Sequence, residues 1–282
     1  LIRRKLKTND LKFSYRTIGV RSNTKICICH IQGIANRKIL DELNKRLDTI
    51  DIDGILDSGY IQELIKDAPY SVMETIGNTE RPDVVAGKLL EGRIAILVDG
   101  SPVALTLPYI FIEVFQSTDD YYMNYYFSSI GRLIRIIGFL FTISVPAVYI
   151  ALVTFHQEMI PTPLIMNISA AREGVPFPTI LEALGMLLVF EILRETGLRM
   201  PTFMGQALSI VGALVIGQAA VDAKFISAPM VIVIAFTGIT GLMIPKIKGM
   251  VIIMRIILIL LASLLGLYGC LFGIAGLLIH LV

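Results

Sequence analysis

Apolar and polar positions follow two different patterns along this chain, and the change comes near residue 130. Before it, short apolar runs are separated by turn residues. LKFSYRTIGV (11–20) and KICICHI (25–31) are typical, and their aromatic and β-branched residues predict strands. Beyond residue 130 the apolar runs lengthen to the size of a membrane span. The pattern therefore predicts two structurally different halves.

The first half is expected to be an α/β unit, because predicted strands alternate with predicted helices. Its further elements are helices at 36–50, from Ser58 to Lys66 and at 83–91 with Asp83 as N-cap, a short strand at 52–56, and a hairpin over 93–108. The hairpin rests on Asp99-Gly100, a strong turn signal between two apolar runs. Tyrosines at i,i+4, Tyr121/Tyr125 and Tyr122/Tyr126, predict either an interfacial aromatic belt or a packing face between domains.

The second half is expected to be an α-helical multi-span membrane domain. Its five apolar segments are 133–155, 179–199, 205–221, 227–245 and a last one from about Met250 to the end. The third is short for a full span, so it either crosses or is re-entrant. Pro146 predicts a kink in the first. Residues 156–178 are too polar to span and predict an interfacial or re-entrant element with a short helix from Pro163 to Arg172.

Composition and charge divide the chain in the same place. Residues 1–129 hold 16 of the 25 Lys/Arg and 17 of the 23 Asp/Glu. The near-neutral net charge of +2 includes no basic block, so nucleic acid is not an expected partner. The chain has no initiating Met and stops within an apolar run, and we expect it to be a fragment of a longer protein. The expected layout is 1–9 end of a linker helix, 10–112 α/β subdomain, 113–129 juxtamembrane linker, and 130–282 transmembrane domain truncated at its C-terminus.

Lysine and arginine positions predict the orientation of the spans. With the α/β unit in the cytosol, three basic pairs fall on the cytosolic side: Arg132/Arg135, Arg194/Arg199 and Lys246/Lys248. Arg172 and Lys224 alone fall outside. This asymmetry favours five spans with the N-terminus inside.

Few residues in the first half have the spacing that catalysis requires. Cys27, Cys29 and His30 resemble a metal cluster, but cysteines one residue apart on a strand share one face as packing groups. We therefore predict no metal, no cofactor and no catalytic residue. The acidic run Asp51, Asp53 and Asp57 is expected to be a solvated loop or helix cap.

The charged helix 179–199 holds the candidate chemistry, because an ionisable side chain in hydrocarbon is unfavourable unless it faces protein or water. At helical spacing Glu191 and Glu195 share one side and Glu182 points the opposite way. Arg199 follows Glu195 by four residues and can neutralise it. Glu191 is then either paired within the bundle or facing a water-filled path for cations; the helix could also lie flat at the interface. The candidate ion-path residues are Glu191, Glu195, Glu182 and Gln218, with Arg194 and Arg199 as pairing residues.

Small residues predict where helices approach closely. The candidates are Gly205, Ser209, Ala213 and Gly217 in the third segment, and Ala262, Gly266, Gly269, Gly273 and Gly276 in the last. Such stripes let membrane helices touch, so they predict a tight bundle or a homo-oligomer.

Several long runs match one known family. They include IDIDGILDSGYI (50–61), VVAGKLLEGRIAILVDGSP (84–102), FEILRETGLRMP (190–201) and LYGCLFGIAGLLIHL (267–281). The chain resembles the A subunit of GerA-type spore germinant receptors over nearly its whole length. The resemblance implies a cytosolic region of two subdomains, of which the first is missing here, followed by a multi-span membrane domain.

The resemblance also implies a place and partners. These are the spore inner membrane, a B subunit similar to amino-acid transporters, and a C subunit that is a lipoprotein. The implied role is an oligomeric, nutrient-gated channel that releases monovalent cations and triggers germination. A spore-membrane channel paralogue without its own germinant stays open. A secondary transporter-like component is the rival class and predicts internal repeats, which we do not see between the five segments. A membrane-anchored enzyme lacks a nucleophile or metal set, since its three histidines are scattered.

Overall fold

The computed structural model describes residues 1–200, 212 and 215–281 of the chain. These residues divide into two compact units, Leu1–Tyr122 and Met123–Val282. The first is built on a β-sheet covered by helices, and the second is built from helices in its described part. An α/β region followed by helices was predicted, and at that level the fold class is confirmed.

The first unit contains a five-stranded sheet and four helices. In chain order they are α1 (Ile2–Lys5), β1 (Leu11–Ile18), β2 (Thr24–Ile31), α2 (Arg37–Asp48), α3 (Ser58–Leu64), β3 (Gly77–Thr79), α4 (Pro82–Leu90), β4 (Ile94–Val98) and β5 (Ala104–Leu107). The sheet order is β1-β2-β4-β5-β3, and every neighbouring pair is antiparallel. Hairpins join β1 to β2 and β4 to β5, whereas β2–β4 and β3–β5 pair strands that are distant in sequence.

Both faces of this sheet are buried, which explains its continuous apolar strands. Ile28 and Ile96 point to one face, where they pack with Leu43 and Leu47 of α2. On the other face α4 contributes a second apolar cluster: Leu11, Cys29, Ile31, Val85, Leu89 and Ala95. The predicted hairpin forms as β4–β5, with Ile94 opposite Leu107 and a positive φ of 82° at Gly100.

Some predictions for this unit are wrong. Residues 52–56 form no strand; their loop instead accepts hydrogen bonds from the Val20 and Arg21 amides at the Ile52 and Asp53 carbonyls. Helix α4 has Arg81 as N-cap, so Asp83 lies in its first turn. Pro82 explains this start, because its missing N–H and fixed φ suit the first helical position.

The predicted i,i+4 tyrosine face does not form on one helix. Tyr121 ends a 3₁₀ turn, Thr118–Tyr121, while Tyr125 begins the next α-helix. Tyr122 donates a hydrogen bond of 2.8 Å from its hydroxyl to Asp83 Oδ2. The turn at 122–124 therefore gives these tyrosines different surroundings.

The second unit contains seven helices among its described residues. They are α5 (Tyr125–Thr154), α6 (Thr162–Arg172), α7 (Thr179–Arg199), α8 (215–222), α9 (Ala228–Gly241), α10 (Lys248–Leu265) and α11 (Leu267–Leu281). In the described part of the chain, two helical stretches are long and apolar enough to cross a membrane, Tyr125–Thr154 and Pro245–Leu265. Helices α9 and α11 are apolar but shorter.

The last apolar segment is two helices rather than the single predicted one. Gly266 separates α10 from α11 with φ 63° and ψ −140°, a conformation that a residue with a Cβ rarely adopts. After this turn α11 folds back along α10, so that Gly269 lies against Leu261 and Gly273 against Leu258. The prediction failed because Gly was interpreted only as a packing residue.

Candidate functional site

A polar cluster forms around Glu191, in the second half of α7. Glu191 makes an ion pair with Arg194, one turn further along the same helix. Its other carboxylate oxygen, Oε1, lies 3.8 Å from Nη1 of Arg255 on α10. The Arg255 side chain is only 3% exposed, whereas those of Glu191 and Arg194 are 22% and 18% exposed. Arg194 was predicted from the sequence as a pairing residue, whereas Arg255 was not.

The guanidinium of Arg255 is held where four helices meet. A Cβ added to Gly241 of α9 would lie 3.9 Å from Arg255 Nη2 and 3.3 Å from Cγ2 of Thr142, on α5. The hydroxyl oxygens of Thr142 and Thr240 are 2.8 Å apart, within hydrogen-bond distance. Thr142 of α5 and Arg255 of α10 thus both lie close to Gly241 of α9, and α7 approaches Arg255 through Glu191.

The charges of this cluster do not balance. Among the described residues, the Arg194 and Arg255 guanidinium groups share the Glu191 carboxylate, which leaves one positive charge in excess. Segment 201–214 contains no Asp or Glu in its sequence, so it supplies no second carboxylate. Within the described part of the chain, Glu191 Oε1 and Arg255 Nε lack a hydrogen-bond partner. A buried charge that is only partly compensated is unfavourable, and such groups mark functional candidates.

Glu182 belongs to a separate cluster. Its side chain is fully buried, and its Oε2 accepts hydrogen bonds from the Ser227 amide and hydroxyl at 2.9 and 2.8 Å. Arg172, in the last turn of α6, lies 3.5 Å from its Oε1. These contacts join α6, α7 and the start of α9.

The remaining candidates lie outside these clusters. Glu195 accepts a hydrogen bond of 2.8 Å from Arg199 Nε, and both side chains are exposed. Gln218 is exposed on α8. The structure therefore places Glu182, Glu191 and Glu195 in three different ion-pair groups.

Two predicted contact glycines are used within the chain. A Cβ on Gly269 would lie 2.1 Å from the Leu261 carbonyl oxygen, and one on Gly273 would lie 2.4 Å from Leu258 Cδ2. On Gly276 it would meet nothing within 4 Å. Gly217 lies near Val231, whereas Gly205, Ser209 and Ala213 fall outside the described residues.

The first unit contains a buried ion-pair group that the sequence analysis also missed. Glu113, which is 5% exposed, contacts Lys88 Nζ at 2.9 Å and pairs with Arg93.

The Sγ atoms of Cys27 and Cys29 are 3.7 Å apart. Burial, and then the neighbouring Cys27, raises the pKa of the Cys29 thiol. At neutral pH this thiol is protonated, so it behaves as an apolar packing group.

Comparison with known proteins identifies the family. The model of the Bacillus/Clostridium GerA spore germination protein matches residues 1–282. The chain belongs to this family. The resemblance predicted from the sequence motifs is therefore confirmed.

Curated members of the GerA family align with the whole of this chain but are longer. Spore germination protein KA of Bacillus subtilis (strain 168) is 47% identical over 283 residues, covering 100% of this chain and 52% of that protein. The uncharacterized membrane protein YfkQ of the same strain is 44% identical, covering 100% and 55%. Spore germination protein GerLA of Bacillus cereus is 42% identical, covering 100% and 58%. The chain spans about half the length of these relatives.

A solved structure also matches part of the chain. It is the N-terminal domain of the A subunit of the Bacillus megaterium spore germinant receptor GerK3. The match is 53% identical in sequence, covers 39% of this chain and 87% of that chain, and has a TM-score of 0.32.

Proposed function

We propose that this chain is part of the A subunit of a spore germinant receptor, acting as an oligomeric, nutrient-gated cation channel of the spore inner membrane. Family membership carries the proposal, because relatives that align with the whole chain are spore germination proteins. A B subunit and a lipoprotein C subunit are the proposed partners. The proposed layout keeps 10–112 as a cytosolic subdomain and 130–282 as the membrane domain.

The proposed membrane arrangement starts from the two long apolar helices. Helix α5 leads outward and α10 crosses in the same direction, with Lys246 and Lys248 at its cytosolic end. Helix α7, the segment 205–221 and α9 complete five predicted crossings. The turn at Gly266 adds a reversal, because α11 folds back along α10. The end of α11 is therefore proposed to return towards the cytosolic side.

Glu191 is the proposed ion-path carboxylate. Ionisable side chains inside a membrane domain commonly mark ion pathways, and carboxylates confer preference for cations. In this structure Glu191 is engaged by Arg194 and Arg255. We therefore propose that this is a non-conducting arrangement, and that the nutrient signal shifts the population towards one in which the carboxylate is released from Arg255.

Potassium release from spores tests the proposed function. A strain without the gene is complemented with the full-length wild type or with the doubly neutral Glu191→Gln/Arg255→Gln variant. The double variant is chosen because Glu191→Gln alone would leave the buried Arg255 without its carboxylate. We expect nutrient-triggered K⁺ release from the wild type and a release at least about tenfold slower from the variant at equal protein level. Equal release from both would refute the ion-path role of Glu191.

We infer a second candidate, a spore-membrane channel paralogue without its own germinant, since the 44% identical relative YfkQ is named only as a membrane protein and not as a spore germination protein. The two candidates differ in nutrient dependence. A receptor subunit makes release depend on particular nutrients, so its deletion abolishes the response to some and spares the others. Deletion of a general channel component would slow release with every nutrient alike.

A further inference from the structure

We infer that Arg255 is the positioning residue for Glu191: it holds the carboxylate against α10 and thereby sets the ion preference of the proposed path. The inference rests on the proposed channel function and deepens it. Arg255 lies in the apolar run GMVIIMRIILILL (249–261), and in the described structure it lies close to Glu191 of α7 and Gly241 of α9. The sequence contains no other charged residue in α10 beyond Lys248.

The geometry makes this pair weaker than an ordinary buried salt bridge. Arg255 Nη1 and Glu191 Oε1 are 3.8 Å apart, beyond hydrogen-bond distance, and Arg255 Nε has no hydrogen-bond partner within the described residues. Arg194 competes for the same carboxylate from one turn away. A contact without hydrogen bonds separates more easily than a bidentate pair. Glu191 can therefore leave Arg255 while keeping Arg194.

The charge balance predicts the direction of the effect. The cluster of one carboxylate and two guanidinium groups carries a net charge of +1, which disfavours cations nearby. Removing Arg255 leaves Glu191 with Arg194, and the net charge falls to zero. Removing Glu191 instead leaves two arginines uncompensated, one of them almost fully buried. We therefore expect that the protein tolerates neutralisation of Arg255 and is destabilised by neutralisation of Glu191.

The test measures ion preference in the full-length receptor, reconstituted into phosphatidylglycerol–phosphatidylethanolamine vesicles under a KCl gradient. The variants are Arg255→Gln, Arg255→Lys, Glu191→Gln and Glu191→Gln/Arg255→Gln. Lys246→Gln is the matched control, since it removes an exposed positive charge just ahead of the same helix. We expect Arg255→Gln to raise the K⁺ to Cl⁻ permeability ratio by about threefold or more, while Arg255→Lys and Lys246→Gln leave it near the wild-type value. A purely structural role would not produce this shift in reversal potential.

Melting temperatures of the same purified variants give a second readout that needs no ion flux. We expect Glu191→Gln to lower the melting temperature by about 5 °C or more, and the double variant to recover most of that loss. An unchanged reversal potential for folded Arg255→Gln overturns the inference, as does an equal shift for Arg255→Lys. If the wild type conducts no ions, the proposed function fails instead. In that case equal melting temperatures for Glu191→Gln and the double variant overturn the placement of Arg255, and recovery by the double variant supports it.

Discussion

At the scale of single residues, Asp83 shows how one carboxylate fixes a local structure. It lies in the first turn of α4, and its Oδ2 is 2.9 Å from Arg81 Nη2. The same oxygen accepts a hydrogen bond from the Tyr122 hydroxyl. The Arg81 guanidinium, followed by the Tyr122 hydroxyl, holds the pKa of the Asp83 carboxyl well below its usual range. A lowered pKa means that the folded protein favours the ionised form.

Asp83→Asn is therefore expected to destabilise the protein at neutral pH and not in acid. The contribution of Asp83 is fully present above its unfolded pKa of about 3.9 and is lost as the pH falls through the lower folded value. Because the pair is near the surface, the loss at pH 7 is expected to be below about 1 kcal/mol. Melting temperatures of both proteins between pH 1 and 7 check this, because the difference between them disappears only near the lowered pKa of the folded state. Asp53→Asn is the control, because Asp53 and its partner Arg21 are both highly exposed. Its melting temperature should stay close to that of the wild type across this pH range.

Single residues also mark the limit of the sequence analysis. The charges of α7 could be assigned to faces because helical spacing fixes their direction. The Glu191–Arg255 contact could not, since it joins distant helices and depends on how they pack. A signal was nevertheless present: a lone arginine in the apolar run 249–261 is itself a functional candidate.

At the scale of elements, the α10–α11 hairpin depends on two glycines for two different reasons. Gly266 is required by its backbone conformation, while Gly269 is required by the closeness of Leu261. The spacing of the glycines is visible in the sequence. Whether a given glycine forms a helix contact or ends the helix is not, because glycine serves both purposes. The predicted strand at 52–56 is also wrong, because its backbone hydrogen bonds with Val20 and Arg21 form a loop contact and not a ladder.

Gly269→Ala is expected to destabilise this hairpin. Its methyl group would lie 2.1 Å from a backbone oxygen of α10, so the two helices would have to separate. Overpacking of this kind costs about 1–3 kcal/mol. Gly276→Ala, on the same helix and with open space around its added methyl, is the matched control. Thermal unfolding of the detergent-purified protein should show a lower midpoint for the first variant only; equal midpoints would contradict the close contact.

At the scale of the whole molecule, the change of pattern near residue 130 predicted two kinds of structure. The α/β character of the first part followed from alternating strand and helix signals. The antiparallel order β1-β2-β4-β5-β3 did not, because β3 spans only Gly77–Thr79 and its pairing with β5 joins distant segments. Strand order is decided by long-range pairing that local periodicity does not record.

The fold-back at Gly266 predicts where the end of α11 lies in the membrane arrangement. A single helix from Met250 onward would place His280 on the side opposite Lys246, whereas the hairpin returns it to the same side. In full-length protein with the native cysteines replaced by serine, Lys246→Cys and His280→Cys are expected to react with a membrane-impermeant maleimide from the same face. Glu173→Cys should react from the other face. Labelling of His280→Cys together with Glu173→Cys would contradict the reversal.

The length of α5 has a mechanical consequence. Its 30 residues extend over about 45 Å, while the hydrocarbon layer is about 30 Å thick. In the proposed membrane arrangement, about a third of this helix therefore extends beyond the hydrocarbon layer. From Tyr125 to Thr142, ahead of Pro146, the helix is uninterrupted and stiff, so a tilt applied at its first turn is carried to the residues around Thr142. Thr142 and Arg255 both lie within 4 Å of a Cβ built on Gly241, so this part of α5 lies close to the cluster with the unbalanced charge.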